Sequence, residues 1–484
     1  MMDAVRRRGG TLLGGRPVRA VVRLATVAVT LLAAVAGCAA PQEGRALATG
    51  SVTAGLDPTG IVRGSDGSDD DRVAAATVRN LEIYWEREYP RLAGGRPFPP
   101  LAGSYSVDST LRGRGSAVPC SGDPAELEGN AYYCPRADVL AFDRSALVPV
   151  LREDFGDAAV VVVLAHEFGH AVQQRLGATG AVGPGSPGGS LFGGPQFFAP
   201  TILLEGQADC YAAAFLRQVR DGALPDLRTG TSGVDDAMSA LVTFRDPVGT
   251  GASDADAHGN AYDRVSSFQM GFEGGPGTCA GMTVTNRLFT QRSFTSLSDA
   301  QSGGNLPLEQ LVTALGSDLD RFYAQVVRAR GRPWTAPRSV AGVGCDGADP
   351  QGAVSYCPGE RTVAVDAPAA QVDHRSVGDF ATGTRLASRY GLATLGALGR
   401  PTNGPDAGRA ALCLAGAYTA SVGAPGTDFS LSPGDLDEAV SLLLRDADAS
   451  RGSDGVTSRS TAYARITDFR AGIDGGPDAC LGAG

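Results

Sequence analysis

The sequence contains an internal repeat, which limits the fold more strongly than any other feature. Three stretches of the first half align with stretches of the second half: 120–143 with 345–366, 156–177 with 378–399, and 261–279 with 462–480. A repeat on this scale predicts two structural units of the same architecture, and a length of 484 residues is enough for two or three domains. We therefore expect a first copy over 72–285, a linker over 286–305 and a second copy over 306–484.

Each copy carries four cysteines at matching positions, and Cys38 lies apart from them. The simplest connectivity stays inside each copy: Cys120–Cys134, Cys210–Cys279, Cys345–Cys357 and Cys413–Cys480. Spacing alone leaves other connectivities open. Because disulfides persist in oxidising compartments, eight cysteines in matched sets favour an exported protein.

The N-terminus has the pattern of an export signal. Six arginines accompany an apolar run from Leu24 to Ala36, which is too short to cross a hydrocarbon core of about 30 Å. A signal peptide is predicted over 1–37, and its end, VAGC, resembles a bacterial lipobox with Cys38 as the lipidated residue; the alternative is an ordinary signal peptide that is cut elsewhere. A lipid there predicts an extracytoplasmic protein anchored to the cell membrane. Residues 38–71, rich in Gly, Ser, Thr and Asp, would form a flexible tether.

The charge balance excludes one class of partner. The formal net charge is −10, and residues 1–37 contribute +5 through six Arg and one Asp, so the remainder carries −15. An acidic chain gains nothing from the phosphate attraction on which nucleic-acid binding depends. We expect no nucleic-acid partner.

The stretch VLAHEFGHAVQQ, residues 163–174, is predicted to lie on a helix. Asp157 can cap the start of this helix, which would run to Leu176 before a terminating glycine. The run AAVVVVLA favours a strand by propensity, but the flanking caps and the HExxH spacing favour a buried helix. His166 and His170 then lie one turn apart on the same face, so both imidazoles can converge on one point.

A second helix is predicted from Pro200 to Gly222. Glu205 and Asp209 are four residues apart on it and share a face. A Gly/Pro-rich loop joins the two helices. It is either a functional lid or binding segment or an insertion without a role, and its composition fits both.

These side chains meet the requirements of a catalytic zinc site. Such a site takes three protein ligands and leaves one position open. His166 and His170 supply two ligands, and Glu205 is the candidate for the third. Glu167 can accept a proton from a water whose pKa the metal lowers, and Asp209 can orient a ligand imidazole. The alternative for the motif is a helix that buries two structural histidines.

Four stretches together resemble the bacterial putative neutral zinc metallopeptidase family: YYCPRADVLAFD, HEFGHAVQQRLG, EGQADCYAA and HGNAYDRVSSFQMGFEGG. The resemblance covers most of 75–280. It implies an α+β, zincin-like domain, mainly helical with a small sheet, here duplicated in tandem. It also implies these roles at a gluzincin-type site: one Zn²⁺ held by His166, His170 and Glu205, base catalysis by Glu167, and support of a ligand by Asp209. The family's substrates do not follow from it.

His258, in AHGNAYDR, is a further candidate. It could stabilise the oxyanion that develops during attack on a peptide bond, or it could be a surface or structural histidine. Tyr262 and Arg264 follow closely, but Tyr463 and Arg465 occupy the matching places of the second copy. We therefore interpret Tyr262 and Arg264 as structural.

Every candidate position of the metal site differs in the second copy. The replacements are Ser388 for His166, Arg389 for Glu167, Leu392 for His170, Gly408 for Glu205, Leu412 for Asp209 and Arg459 for His258. Cysteines, Gly-Gly-Pro and apolar positions persist. Because the scaffold residues are kept while the candidate catalytic residues are lost, we predict a degenerate pseudoenzyme domain without metal ligands.

Together these features predict a membrane-anchored, extracytoplasmic zinc endopeptidase that acts on protein or peptide substrates. The alternative is a non-catalytic binding or scaffolding lipoprotein with a structural or vestigial zinc site. Structural zinc sites are usually closed by four ligands, often cysteines. Since the cysteines are expected in disulfides and one copy retains a full ligand set, the enzyme is favoured.

Overall fold

The computed structural model describes residues 56–111, 118–178, 200–345, 352–422, 429–457 and 460–482. The predicted signal peptide, the lipidation candidate Cys38 and most of the Gly/Pro-rich loop lie outside these ranges. Residues 50–484 form one unit, which holds both the first segment (72–285) and the second segment (306–484). Within the described ranges, no helix combines the length and the apolar character needed to cross a lipid bilayer.

The described chain is mostly helical and carries two small sheets, as expected for the α+β class. The first segment contains α1 (Asp69–Leu92), β1 (Gly103–Val107), β2 (Ala131–Cys134), β3 (Val139–Asp143), α2 (Leu147–Phe155), α3 (Asp157–Leu176), α4 (Thr201–Arg220), α5 (Thr231–Thr243), α6 (Ala261–Gly274) and α7 (Pro276–Ala280). A short helix, α8 (Leu297–Ser302), lies in the predicted linker. The second segment contains α9 (Leu308–Arg328), β4 (Arg338–Ala341), β5 (Val354–Cys357), β6 (Thr362–Val365), α10 (Ala367–Ser376), α11 (Asp379–Ala397), α12 (Gly404–Ser421), α13 (Asp435–Arg445) and α14 (Ala462–Leu481).

The two sheets have the same topology. The central strand β3 pairs in parallel with β1 and antiparallel with β2, and β6 pairs in the same way with β4 and β5. All residues of β3 are buried, the four apolar ones and also Asp143. β2 is therefore an edge strand, and it packs against α3.

α3 is the central helix of the first segment. Its β-branched run is buried against neighbouring helices, with Val160 and Val162 fully inaccessible. This packing outweighs the strand propensity of the sequence. Gly169 allows α4 to approach closely, because a Cβ there would lie 3.1 Å from the Cα of Ala208. The helix ends at Gly177 in the left-handed conformation, as expected.

Two helix starts differ from the prediction. Asp157 does not cap α3; Gly156 holds the cap position, and Asp157 is the first helical residue. Its carboxylate instead accepts a hydrogen bond of 2.8 Å from Nε of Arg152, while its charge still suits the positive end of the helix. α4 begins at Thr201 with Pro200 before it, and it ends at Arg220.

The flexible tether was predicted over 38–71, but residues 56–71 belong to the folded part of the chain. Val62 is buried, and the backbone of Arg63 exchanges hydrogen bonds with β1. Ser68 then caps α1 through its side chain. Residues from 56 onwards are held by this pairing and burial, although their polar composition indicates disorder.

Four disulfides join described cysteines: Cys120–Cys134, Cys210–Cys279, Cys345–Cys357 and Cys413–Cys480. Two lie within the first segment and two within the second, and this is the simplest connectivity considered from the sequence. Cys210–Cys279 connects α4 to α7 and so fixes the helix that carries Glu205.

Candidate metal centre

α3 and α4 bring the three candidate zinc ligands together. Nε2 of His166 lies 3.1 Å from Oε2 of Glu205, and Nε2 of His170 lies 3.5 Å from Oε1 of the same carboxylate. The imidazole rings stand nearly perpendicular, with centroids 4.9 Å apart. His166 and Glu205 are buried, whereas His170 is partly exposed. One carboxylate thus lies close to both Nε2 atoms. Three side chains that share one metal ion must converge in this way.

Glu167 lies beside the two imidazoles. His166, Glu167 and His170 can each offer a ligand atom within 4.8 Å of the others. Oε2 of Glu167 accepts a hydrogen bond of 3.1 Å from the backbone N–H of Tyr133 in β2. The edge strand therefore orients this carboxylate. The residue pattern does not indicate such a contact, because a backbone donor is independent of side-chain identity.

Asp209 contacts the Nδ1 side of His166, and Arg264 in turn binds Asp209. Nδ1 of His166 lies 2.7 Å from Oδ1 of Asp209, and Arg264 on α6 donates from Nε and Nη2 to the two oxygens of Asp209 at 2.9 and 2.8 Å. Burial raises the pKa of Asp209, but the charges of Arg264 and His166 outweigh it and lower that pKa to about 2. An ionised Asp209 accepts the Nδ1–H, which leaves Nε2 of His166 as the metal-facing atom.

The structure corrects the interpretation of Arg264 as merely structural. Arg264 reaches Asp209, whereas the matching Arg465 donates to the backbone carbonyls of Leu443 and Ser460. The arginine by itself does not reveal this difference, because both segments have an arginine at this place. Only the groups that the arginine binds differ. The loss of Asp209 opposite a retained arginine is the signal in the sequence that could have indicated it.

A second support holds His170. Its Nδ1 lies 2.9 Å from Oε1 of Gln173, and Nε2 of Gln173 donates to the carbonyl of Leu204 at 2.6 Å. The amide is thereby oriented so that its oxygen accepts the Nδ1–H of His170. The sequence analysis did not single out Gln173, although its place three residues after His170 puts it on the same helix face.

The donor set fits zinc. Two imidazole nitrogens and one carboxylate are a known ligand set of catalytic zinc. Burial lowers the pKa of His166, but Asp209 and Glu205 outweigh it and raise that pKa to about 10. Burial raises the pKa of Glu205, but His166 and His170 lower it to about 2. The carboxylates thus favour a positive charge between the imidazoles, which a proton or a divalent cation can supply.

His258 lies close to this set without joining it. Its Nδ1 is 3.2 Å from Oδ1 of Asp246, and the backbone N–H groups of His258 and Gly259 donate to Oδ2 at 2.7 and 3.0 Å. Its side chain is 51% exposed, and its charge contributes to the lowered pKa of Glu205. His258 is therefore available to a bound molecule rather than committed to the candidate ligands.

The matching places of the second segment are filled differently. Arg389 is buried and donates to backbone carbonyls, as does Ser388. Gly408 stands where the first segment has Glu205, and a Cβ at Gly408 would lie 2.0 Å from the carbonyl oxygen of Ser450. Packed backbone and a buried guanidinium therefore occupy this part of the second segment.

A different acidic group is present at the starts of α11 and α13. Asp379, Asp435 and Glu438 can each bring a carboxylate oxygen within 4.8 Å of the others. Burial, together with the charges of Asp435 and Asp379, raises the pKa of Glu438 to about 9. These residues do not match the candidate ligand positions, and they include neither histidine nor cysteine.

Residues 113–284 match the family described as putative neutral zinc metallopeptidase. The matched range contains every candidate site residue of the first segment. This part of the chain is therefore similar to a family that is described as zinc metallopeptidases.

The relatives found are themselves uncharacterized proteins. Protein Rv2575 of Mycobacterium tuberculosis is 31% identical over 174 residues, which are 32% of this chain and 56% of that protein. Protein YpfJ of Escherichia coli is 27% identical over 195 residues, which are 38% of this chain and 65% of that protein. The match thus spans between about half and two thirds of each relative. No solved structure matches the chain.

Proposed function

We propose that the first segment is a zincin-like metallopeptidase that hydrolyses peptide bonds. His166, His170 and Glu205 hold one Zn²⁺, and Glu167 is the general base. The observation that carries this proposal is the approach of one buried carboxylate to both Nε2 atoms, while a separate partner engages each Nδ1. The family match over 113–284 supports the same chemistry.

The side chains divide the work of hydrolysis. A zinc ion held by His166, His170 and Glu205 would supply a Lewis acid that polarises the scissile carbonyl and lowers the pKa of water. Glu167, held through Oε2 by β2, has Oε1 left to accept a proton from the attacking water and to return it to the leaving nitrogen. Asp209 keeps the Nδ1 proton on His166 and so preserves the ligand tautomer. His258 donates to the oxyanion that develops on the carbonyl.

The position of β2 favours an extended peptide as substrate. β2 is an edge strand, and the amide of Tyr133 within it contacts the candidate base. An extended chain can add to such an edge through main-chain hydrogen bonds, which bind peptides with little regard to sequence. A peptide bond of the added chain would then lie near Glu167.

The remaining parts of the chain complete the proposal. The pattern around Cys38 supports a lipoprotein that is anchored to the membrane outside the cytoplasm. The matching sheets, glycines and disulfides of the two segments support a tandem duplication. Since the second segment lacks the candidate ligands, it is the degenerate copy.

The test uses residues 50–484, which form one unit. Bound zinc is measured, and a mixed peptide library is incubated with the protein, with and without a chelator. Glu167→Gln should retain zinc and lose about 10²- to 10⁴-fold in cleavage rate, because it removes the proton acceptor. Glu153→Gln, at an exposed site on α2, is the control and should cleave normally. Bound zinc without cleavage, or cleavage that survives Glu167→Gln, would refute the peptidase.

A further inference from the structure

The two segments meet through a reciprocal pair of helix caps. Asp235 on α5 accepts hydrogen bonds from the backbone N–H groups of Ala462 and Tyr463, the first two residues of α14, both at 2.8 Å. Asp437 on α13 accepts from the N–H of Ala261, the first residue of α6, also at 2.8 Å. Each segment thus supplies an additional acceptor at a helix start of the other, beside the N-caps Asn260 and Thr461 that the two helices have of their own, as in an isologous dimer interface.

Polar side chains hold the same helices together. Gln269 on α6 donates to Thr467 on α14 at 2.9 Å, and it accepts from Arg470 at 2.8 Å. The hydroxyl of Tyr463 donates to Glu273 at 2.8 Å. These contacts fix the position of α6 relative to α14, so the cap at Ala261 belongs to a defined interface.

Asp437 contacts Arg245 as well as the start of α6. It is buried, and its Oδ2 lies 3.3 Å from Nε of Arg245. The next residue, Asp246, binds the backbone and the ring of His258. One carboxylate of the second segment therefore holds both ends of the stretch that carries His258, from Arg245 to the start of α6.

The same helix start leads to the candidate metal ligands. Arg264 lies in the first turn of α6 and grips Asp209, which in turn holds Nδ1 of His166. The reciprocal cap at Asp235 has no such continuation, because Arg465 near the start of α14 binds only backbone carbonyls among its described hydrogen bonds. The interface is symmetric, but its consequences are not.

We propose that the second segment is a built-in partner subunit whose Asp437 positions Arg264 and His258 of the metal centre by capping α6. Asp437 is a positioning residue, since it contacts no candidate ligand. The part of this inference that concerns zinc rests on the proposed function. The capping itself stands on the geometry alone.

The test compares three variants of residues 50–484. Asp437→Ala removes the carboxylate that accepts the Ala261 N–H and leaves Asn260, which caps the Asp263 N–H, in place. Asp437→Asn keeps an oxygen that can accept the Ala261 N–H. Asp235→Ala is the matched control, because it removes the reciprocal cap of α14. Hydrogen exchange of the metal-free protein is read in the peptides covering 258–264 and 460–466, and zinc affinity is read by chelator competition.

Asp437→Ala should increase exchange over 258–264 and weaken zinc binding about three- to tenfold, less than the roughly 10- to 100-fold typical of a direct partner of a ligand. Asp437→Asn should restore most of the protection. Asp235→Ala should increase exchange over 460–466 and leave zinc affinity unchanged, even if its melting temperature falls as much as that of Asp437→Ala. The absorption spectrum of the Co²⁺-loaded protein should shift only for Asp437→Ala.

Equal zinc affinity in Asp437→Ala and wild type, or an equal loss in Asp235→Ala, would overturn the positioning role. Unchanged exchange over 258–264 in Asp437→Ala would overturn the cap itself. A wild-type chain that binds no zinc would refute the proposed function instead. The exchange comparison would then still decide whether the second segment holds this stretch.

Discussion

Asp209 is buried between His166 and Arg264, so the state of each of these residues depends on the other through its carboxylate. It has no exposed surface, and it serves His166 on one side and Arg264 on the other. A buried carboxylate that loses its partner charge is strongly destabilising, and it tends to take up a proton instead. Arg264 is therefore needed to keep Asp209 ionised and His166 in one tautomer.

Arg264→Gln should lower the free energy of unfolding by about 3–5 kcal/mol, because it removes the permanently charged partner of the buried Asp209. It should also weaken zinc binding by roughly 10- to 100-fold. Urea denaturation and chelator competition measure the two effects. Arg465→Gln is the matched control, since it removes only bonds to backbone carbonyls, and it should leave zinc affinity unchanged. Similar losses of zinc affinity in both variants would speak against this account.

At the scale of elements, the site depends on the close approach of α3 and α4. The ligands come from both helices, and Gly169 lies at the point of contact with Ala208. The second segment has the same device, because a Cβ at Gly391 would lie 3.0 Å from the Cα of Ala411. This close contact therefore belongs to the scaffold, and the first segment uses it to bring Glu205 to the histidines.

Gly169→Ala should push α3 and α4 apart and lower the free energy of unfolding by about 1–3 kcal/mol, the usual range for overpacking. It should weaken zinc binding as well, since the distances from Glu205 to His166 and His170 depend on this spacing. Gly391→Ala should cost similar stability without affecting zinc. The prediction fails if Gly169→Ala binds zinc as tightly as Gly391→Ala does.

At the scale of the whole molecule, stability depends on buried carboxylates in the second segment. Burial and the charges of Asp435 and Asp379 raise the pKa of Glu438 from 4.5 to about 9. The folded protein therefore keeps a proton that the unfolded chain releases between these values. The resulting stabilisation is fully present below pH 4.5 and is lost as the pH rises through about 9.

Glu438→Gln should flatten this part of the pH dependence, because glutamine has no proton to release. Unfolding free energies measured by urea titration across the range should fall less steeply for the variant than for wild type. The difference between the two curves isolates Glu438 from the other titrating groups. Parallel curves would show that Glu438 titrates normally in the folded protein.

Local rules predicted α3 and α4 well. The HExxH spacing requires His166 and His170 to share a face only if the stretch is helical, and the structure has that helix from Asp157 to Leu176. The contact of Gln173 with His170 was not predicted, and Arg264 was interpreted as structural although it binds Asp209. Their importance depends on which groups they meet in space, and a single sequence does not specify this.

The sequence by itself predicted the repeat and the segment that carries the candidate ligands, and it determined the helical register of the histidines. These follow from chain connectivity and from the fixed geometry of a helix, which act over a few residues. Only the tertiary structure decided that Arg264 supports Asp209, that β2 holds Glu167 and that Asp437 of the second segment caps α6. Such contacts join residues far apart in the chain, and burial makes their hydrogen bonds obligatory once packing has brought them together.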